Sequence, residues 1–295
     1  MNTLYVSDLD GTLLCSAACL SDASHTALQA MLADGLPFAV ASARSVVSMR
    51  PALSGLELKL PVIELNGAFV SDLGTGRHEI VNALPRELAA DIYEAVAAFG
   101  CTPVIATFDG AADCLYHAQI TNAGVRHYIE DRRRHRDERL RHCGSLADAL
   151  TDQVVSITLI DEEARLAELD LALRARYGPN IETHLFENIY SPGWYWLQVH
   201  DPRATKAQGV QTLVELCDLS AEELVVFGDH LNDVGMFGIA HCAVAVENAH
   251  PTLKRLATHV IGSNEDDSVV KFIREHWVER RAYRSEANDH RRERS

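Results

Sequence analysis

The sequence predicts an α/β protein in which a parallel sheet is interrupted by an inserted second block of helices and strands. Three observations lead there. A short apolar run, Leu4 to Val6, is followed by a helical segment and a second apolar run, Leu36 to Ala41, which together make a βαβ unit and so a parallel pair. A further apolar run, Glu223 to Gly228, again ends in an acid, Asp229, more than 200 residues after the first strand ends in Asp8 and Asp10. Between the two lies a stretch from about residue 84 to residue 197 that mixes helices with strand pairs.

Taken in order, Ser21 or Asp22 caps a helix whose apolar residues Ala27, Leu28, Met31 and Leu32 recur at helical spacing, and Gly35 stops it. The strand Leu36 to Ala41 opens through Ser42-Ala43-Arg44-Ser45 into another helix. Pro61 to Leu65 and Ala68 to Val70 read as strands joined by Asn66-Gly67, a pair suited to a tight turn. Pro85 to Phe99 is an amphipathic helix. Thr102 to Phe108 and Cys114 to Ala118 are strands with Asp109-Gly110 between them, and Asn122 to Arg141 is expected to be helical. Val154 to Ile160, Ile181 to Ile189 and Trp194 to Val199 are strands, with a helix at Glu162 to Tyr177. Pro202 breaks the last of these, and Ala207 to Cys217 is helical with Lys206 at its start. Cys242 to Val246 is the final core strand, Leu253 to Ala257 a helix, and Val269 to Trp277 the closing helix. Residues 279–295 are charged and poor in apolar side chains, which predicts a disordered or loosely attached tail.

Composition narrows the function. The 295 residues carry 27 basic and 42 acidic side chains, a formal charge of −15, which argues against general nucleic-acid binding. An anionic ligand must therefore be drawn in locally. No apolar run reaches the ~20 residues that span a bilayer. The seven cysteines are scattered without a CxxC pair, the pattern of reduced thiols in the cytoplasm. The run Arg132-Arg133-Arg134-His135-Arg136 has acids on both sides and reads as a solvated helix face. Trp194-Tyr195-Trp196 reads as core and interface rather than a platform for stacking substrate.

The chemistry concentrates at strand ends. Asp8 and Asp10 leave the first strand one residue apart, an arrangement that is costly unless something positive meets it. A hard cation such as Mg²⁺ takes oxygen ligands and is commonly held by one or two carboxylates. Ser42 lies at a strand-to-helix junction, where free backbone N–H groups can cradle a phosphate; read alone, it is an ordinary helix cap. Lys206 begins a helix, where the macrodipole disfavours a cation unless an anion offsets it. Lysine is scarce, at Lys59, Lys206, Lys254 and Lys271. His230, beside Asp229, is expected to be a loop residue facing solvent. No GxxxxGK[ST] pattern occurs, which sets aside a P-loop kinase.

Asp8-Leu9-Asp10-Gly11-Thr12-Leu13 closely resembles the first motif of the haloacid dehalogenase-like (HAD) superfamily. Ser42-Ala43-Arg44 stands where that family usually has Thr-Gly-Arg, Lys206 at its third motif, and Gly228-Asp229-His230-Leu231-Asn232-Asp233 at its fourth. Asn248-Ala249 also fits, while Ser268 stands where Gly is frequent. The strand, Asn66-Gly67-Ala68 and hairpin resemble the type IIB, Cof-like branch. The resemblance covers residues 3 to 278. It implies a Rossmann-like core from residues 1–83 and 198–278, with an inserted C2-type α/β cap at 84–197 that opens and closes about Leu84 and Leu197.

It also implies a Mg²⁺-dependent phosphatase that hydrolyses small phosphorylated metabolites, sugar phosphates or phosphorylated cofactors, through an aspartyl-phosphate. In that scheme Asp8 is the nucleophile and Asp10 the general acid and base. Ser42, Ala43, Lys206 and Asn232 bind the phosphoryl group. Asp8, Asp10 (through its main-chain carbonyl) and Asp229 hold the metal, and Asn232 and Asp233 orient Lys206 or water around them. The partner is a small-molecule phosphoester, with no nucleic acid and no membrane; oligomeric state is unread. Two other readings keep the same fold: a phosphomutase of the phosphomannomutase type, and a non-catalytic phosphoester-binding module.

Overall fold

The computed structural model describes residues 2–188, 191–219 and 221–292. The chain divides into two compact units, Met1–Ile80 with Thr205–Ser295, and Val81–Ala204. The second reaches a few residues beyond 84 and 197 because its last strand and the turn after it stay with its own sheet.

In chain order the elements are β1 (Asn2–Ser7), α1 (Asp22–Ala33), β2 (Phe38–Val40), α2 (Val46–Ala52), β3 (Val62–Glu64), β4 (Phe69–Ser71) and β5 (His78–Val81). Then come α3 (Arg86–Ala98), β6 (Val104–Phe108), β7 (Asp113–His117), α4 (Ala123–Arg134), β8 (Leu140–His142), β9 (Gln153–Asp161), α5 (Glu163–Tyr177), β10 (Glu182–Glu187) and β11 (Tyr195–His200). The chain closes with α6 (Lys206–Leu216), β12 (Ala221–Gly228), α7 (Val234–Ile239), β13 (Cys242–Ala245), α8 (Pro251–Leu256), β14 (His259–Val260) and α9 (Ser268–Arg292).

The first unit is built on a parallel sheet ordered β14-β13-β12-β1-β2. Its strands carry long apolar runs because both faces are covered. Tyr5, Val6, Ala39, Val40, Val225, Val226, Phe227 and Val244 are all within 1 % of complete burial. Register decides the rest: Ser7 lies opposite Val40 on one side and Phe227 on the other. The segments after these three strands, carrying Asp8, Ser42 and Asp229, therefore emerge at one edge. That edge is the carboxyl end of the sheet, where parallel α/β folds place their sites.

Asn66-Gly67 does turn the chain between β3 and β4, through a 3₁₀ turn at Leu65–Gly67. The glycine is required by a close approach: a Cβ at Gly67 would sit 2.4 Å from the Thr205 carbonyl oxygen, and its φ is +106°. Thr205 caps α6, its Oγ1 accepting from the Gln208 N–H at 3.1 Å, so the bare glycine lets the start of α6 and Lys206 come in.

The second unit is a six-stranded sheet ordered β10-β11-β9-β6-β7-β8, antiparallel except for the β7–β8 pair. One face packs on α3 and α5 through Ile92, Val96, Ile157, Leu159, Leu166, Leu169 and Leu197. The other is covered in part by α4 through Val125 and Ile129 against Val104, Leu115 and Ile160. Trp196 is half-buried against this cluster, edge-on to Tyr128 at 5.0 Å.

Two expectations are corrected. The helix predicted over Asn122 to Arg141 stops at Arg134, and Leu140–His142 is a strand. Arg136 takes a φ of +52°, and the N–H groups of Arg136 and Asp137 return to the carbonyls of Arg133 and Arg132, the left-handed stop that ends many helices. Arg133, Arg134, His135 and Arg136 are exposed, as a solvated face requires, while Arg132 lies over the Tyr128 ring. The tail predicted to be disordered continues α9 as far as Arg292. Its Glu, Arg and Ala residues are strong helix formers, so poverty in apolar side chains did not preclude a helix. Arg280 on this extension donates to Glu223. Residues 293–295, and Ile189 at the end of one predicted strand, lie outside the described residues.

His200 at the end of β11 is fully buried. Its Nδ1 meets the Val155 carbonyl at 3.0 Å, and burial pushes its pKa down to about 4. Glu182 is its cross-strand neighbour, and the His184 ring lies 5.9 Å away. Because the folded pKa lies below the value of the unfolded chain, the unfolded state binds the extra proton between about pH 6.5 and pH 4. Stability should therefore fall as pH drops through that window, by roughly 3 kcal/mol from this group. Denaturant titrations at pH 7 and pH 4.5 check it: His200→Gln should flatten that part of the pH dependence.

Candidate active site

Asp8 is the first residue beyond β1, with its N–H donating to the Phe227 carbonyl at 3.0 Å and only 6 % of its surface exposed. Lys206, 1 % exposed, donates from Nζ to Asp8 Oδ1 at 2.6 Å and to Asp233 Oδ1 at 2.7 Å. Asp233, fully buried, accepts on its other oxygen from the N–H groups of Asp229 and His230 at 3.0 and 3.1 Å. A cation that is unfavourable at a helix start is thus matched by two carboxylates. Burial works against the Lys206 ammonium, but Asp233 and Asp8 outweigh it and raise its pKa.

The carboxylates themselves are crowded. Burial pushes the Asp8 carboxyl up to about 7, against the pull of Lys206 and with a further push from Asp233. Burial, then Asp8 and Asp233, push Asp229 well above the ordinary carboxylate range. Oxygens of Asp8, Asp229 and Asp233 all lie within 4.8 Å of one another. Three carboxylates around one ammonium, which bonds only Asp8 and Asp233, leave a charge deficit that a hard divalent cation would fill, so the donor set fits Mg²⁺. Thr12 donates to Asp229 Oδ1 at 3.0 Å and aims that carboxylate. Gly11, at φ +76°, leaves it room, since a Cβ there would sit 2.4 Å from Asp229 Oδ2.

Asp10 stands outside the group of three. Arg44 clamps its carboxylate with two parallel bonds, Nε to Oδ2 at 2.7 Å and Nη2 to Oδ1 at 2.5 Å. Such a fork fixes both position and direction. Ser42 is buried, and its Oγ accepts from the Arg44 N–H at 3.2 Å. The cap of α2 is Ser45, so Ser42 is not that helix's N-cap. Ala43 is not among the described residues with positive φ, which is why an alanine is accommodated in place of the family's usual glycine. The loop is anchored from behind by Glu64, fully buried, which accepts from the Val46 N–H and from Ser71 Oγ, each at 2.5 Å.

Asn232 donates to Asn66 Oδ1 at 2.9 Å and does not bond Lys206; Asp233 alone of that pair does. His230, expected to face solvent, is half-buried, its ring edge-on to His250 at 6.1 Å; burial lowers its pKa. The turn at Leu231–Asp233 draws it in. Sequence reasoning gave Glu64 no role, read Asn66 only as part of a turn, and named Thr12 and Arg44 only as parts of motifs. The one available signal for Arg44 was its charge, a cation on a loop that leaves the strand beside two acids.

The sequence profile of haloacid dehalogenase-like hydrolases matches residues 5–273. The chain belongs to that family. Among curated HAD relatives, the 5-amino-6-(5-phospho-D-ribitylamino)uracil phosphatase YitU of Bacillus subtilis is 24% identical over 287 residues, covering 93% of this chain and 97% of that one. The pyridoxal phosphate phosphatase YbhA of Escherichia coli is 26% identical over 276 residues, covering 92% and 97%. Among solved structures, the HAD subclass IIB sugar phosphatase BT4131 superposes with a TM-score of 0.70 at 21% identity, covering 94% and 100%. That last likeness is one of fold. No helix among the described residues is long and apolar enough to cross a membrane.

Two substitutions test the geometry. Lys206→Met removes the shared cation and should lower HAD-type phosphate release at least 10²-fold in protein that circular dichroism shows to be folded, as loss of a charge-stabilising donor does, and should also lower the denaturation midpoint, because Asp8 and Asp233 are left buried and uncompensated. Arg44→Gln should lower kcat more than it raises KM, because the clamp acts on Asp10; Arg44→Lys should restore little, as an ammonium cannot reproduce the fork. Steady-state kinetics on one phosphoester reads both.

Proposed function

We propose that this HAD hydrolase is a phosphatase of small phosphorylated metabolites that works through an aspartyl-phosphate. The observation that carries the reading is the Lys206 ammonium held between Asp8 and Asp233, 2.6 and 2.7 Å away, at the carboxyl end of a parallel sheet. Asp8 is the buried carboxylate placed to attack phosphorus, and Lys206 fixes its orientation while balancing charge on the phosphoryl oxygens.

As the phosphorus bond to Asp8 forms and the ester bond breaks, Asp10 gives a proton to the leaving oxygen. In the second half Asp10 takes a proton from water, which releases phosphate and restores Asp8. Ser42, Ala43 and the backbone N–H groups of their loop would hold the phosphoryl oxygens, with Asn232 close by. Mg²⁺, when bound, would neutralise charge on the phosphoryl group, held by Asp8, Asp229 and the Asp10 main-chain carbonyl. Asp233 keeps Lys206 in line. The inserted block predicted at 84–197 is the cap domain in this reading, and the enzyme acts in the cytoplasm. The named activities of YitU and YbhA support phosphorylated cofactors and their precursors as the first substrates to try.

A panel of such phosphoesters, assayed for phosphate release with Mg²⁺ and with a chelator, decides the matter. Turnover should require the metal and should fall by several orders of magnitude in Asp8→Asn. A folded, Mg²⁺-loaded chain that binds panel members without releasing phosphate would overturn the phosphatase reading.

A further inference from the structure

The segment that follows Asp10 holds a feature the phosphatase reading does not use. Leu9 accepts the N–H groups of Thr12, Leu13 and Leu14, and Leu14 bridges back to Asp10. The next five residues, Cys15-Ser16-Ala17-Ala18-Cys19, form a small closed loop. Its ends are joined by the Cys15 N–H donating to the Cys19 carbonyl at 3.0 Å, and the Ala18 N–H donates to the Cys15 carbonyl at 2.9 Å.

Ala18 takes a left-handed φ of +59°, unusual for a residue with a side chain, and this turns Cys19 back towards Cys15. The Cys15 and Cys19 sulfurs are 3.6 Å apart. Cys19 is exposed and Cys15 half-buried, so small thiol reagents reach the pair. The loop is fastened from outside as well: the Ser16 N–H donates to Glu265 Oε1 at 2.6 Å, and Asn264 Nδ2 donates to the Leu14 carbonyl at 2.9 Å.

We propose that Cys15 and Cys19 are a reversible dithiol–disulfide site. A disulfide needs its sulfurs ~2.05 Å apart, so the thiols must close by about 1.5 Å, a distance within reach of side-chain rotation. The backbone hydrogen bond between the same two residues already keeps their Cα atoms close, the condition that most proposed disulfides fail. The oxidant is a low-molecular-weight disulfide such as oxidised glutathione. One protein thiol loses its proton, attacks a glutathione sulfur and expels the first glutathione, leaving a mixed disulfide. The second protein thiol, deprotonated in turn, attacks the protein sulfur of that mixed disulfide, forms the internal bond and expels the second glutathione. Two electrons pass from the cysteine pair to the glutathione disulfide, and a dithiol reductant reverses the reaction.

The test uses the full chain and the first tryptic peptide, Met1–Arg44, which contains Cys15 and Cys19 and no other cysteine. After equilibration in glutathione buffers and alkylation, the oxidised peptide should be about 2 Da lighter than the unalkylated dithiol form, and dithiothreitol should reverse the change. Cys15→Ser and Cys19→Ser should each abolish that loss and leave the remaining thiol as a mixed disulfide with glutathione. Any two cysteines this near in sequence close to some extent in an unfolded chain, so the same titration is repeated in urea. The folded chain should reach half-oxidation at about tenfold lower oxidised glutathione, because the fold has already brought the sulfurs together. Wild-type peptide that keeps two alkylatable thiols or stops at the mixed disulfide overturns the proposal. So does a folded chain that oxidises no more readily than the unfolded one.

Discussion

Everything at the candidate site depends on one buried ammonium. Lys206 has almost no contact with solvent and touches two carboxylates that arrive from opposite ends of the sequence. Remove it, and Asp8, Asp229 and Asp233 face one another as like charges in a poorly solvated space. Pairs of this kind are costly to break, because the partner left behind is buried and uncompensated. The ion pair is therefore as much a constraint on the fold as a part of the chemistry: it obliges β1 and the turn after β12 to stay side by side at the start of α6.

A division of labour between the two acids of the first motif follows from their different partners. Asp8 shares a flexible, point-like ammonium, which tolerates a change in what the carboxylate is bonded to. Asp10 is gripped by a planar guanidinium, which holds direction as well as distance. Arg44 hangs from the same loop as Ser42, and that loop is fixed from behind by Glu64. The parts proposed to bind phosphate and the part proposed to move protons thus share one rigid mount.

The parallel sheet and the acidic strand ends were legible because a short apolar run closed by Gly or an acid buries its side chains and pairs its backbone most readily as a strand inside a sheet. That Asp8 and Asp229 meet followed from two acidic strand ends in one parallel sheet, whereas Lys206 and Asp233 were joined to them only by the resemblance to the HAD motifs. The Arg44 clamp could not, since neither helical nor strand periodicity places a side chain in the loop past a strand end. His230 was misjudged for a related reason: exposure in a loop depends on the turn that carries it, and a 3₁₀ turn drew it inwards. The stop at Arg134 hinged on a left-handed arginine, a conformation that residue type does not announce. The extension of α9 beyond Trp277 shows the converse, in that local helix preference outweighed a poverty of apolar residues.

The order of the sheet has a consequence for how the protein is made. β1 leaves the ribosome well before the lysine that balances Asp8 and the neighbouring strand β12; 198 positions separate Asp8 from Lys206. At ordinary rates of translation that is a wait of roughly 10–40 s. Throughout it the nascent first strand lacks both its partner on that side and its counter-charge. The intervening unit is contiguous in sequence and has its own core, so it can fold while the earlier strands are still incomplete. The candidate site is therefore completed only after the whole intervening unit has been made, when Lys206 and the turn after β12 reach Asp8.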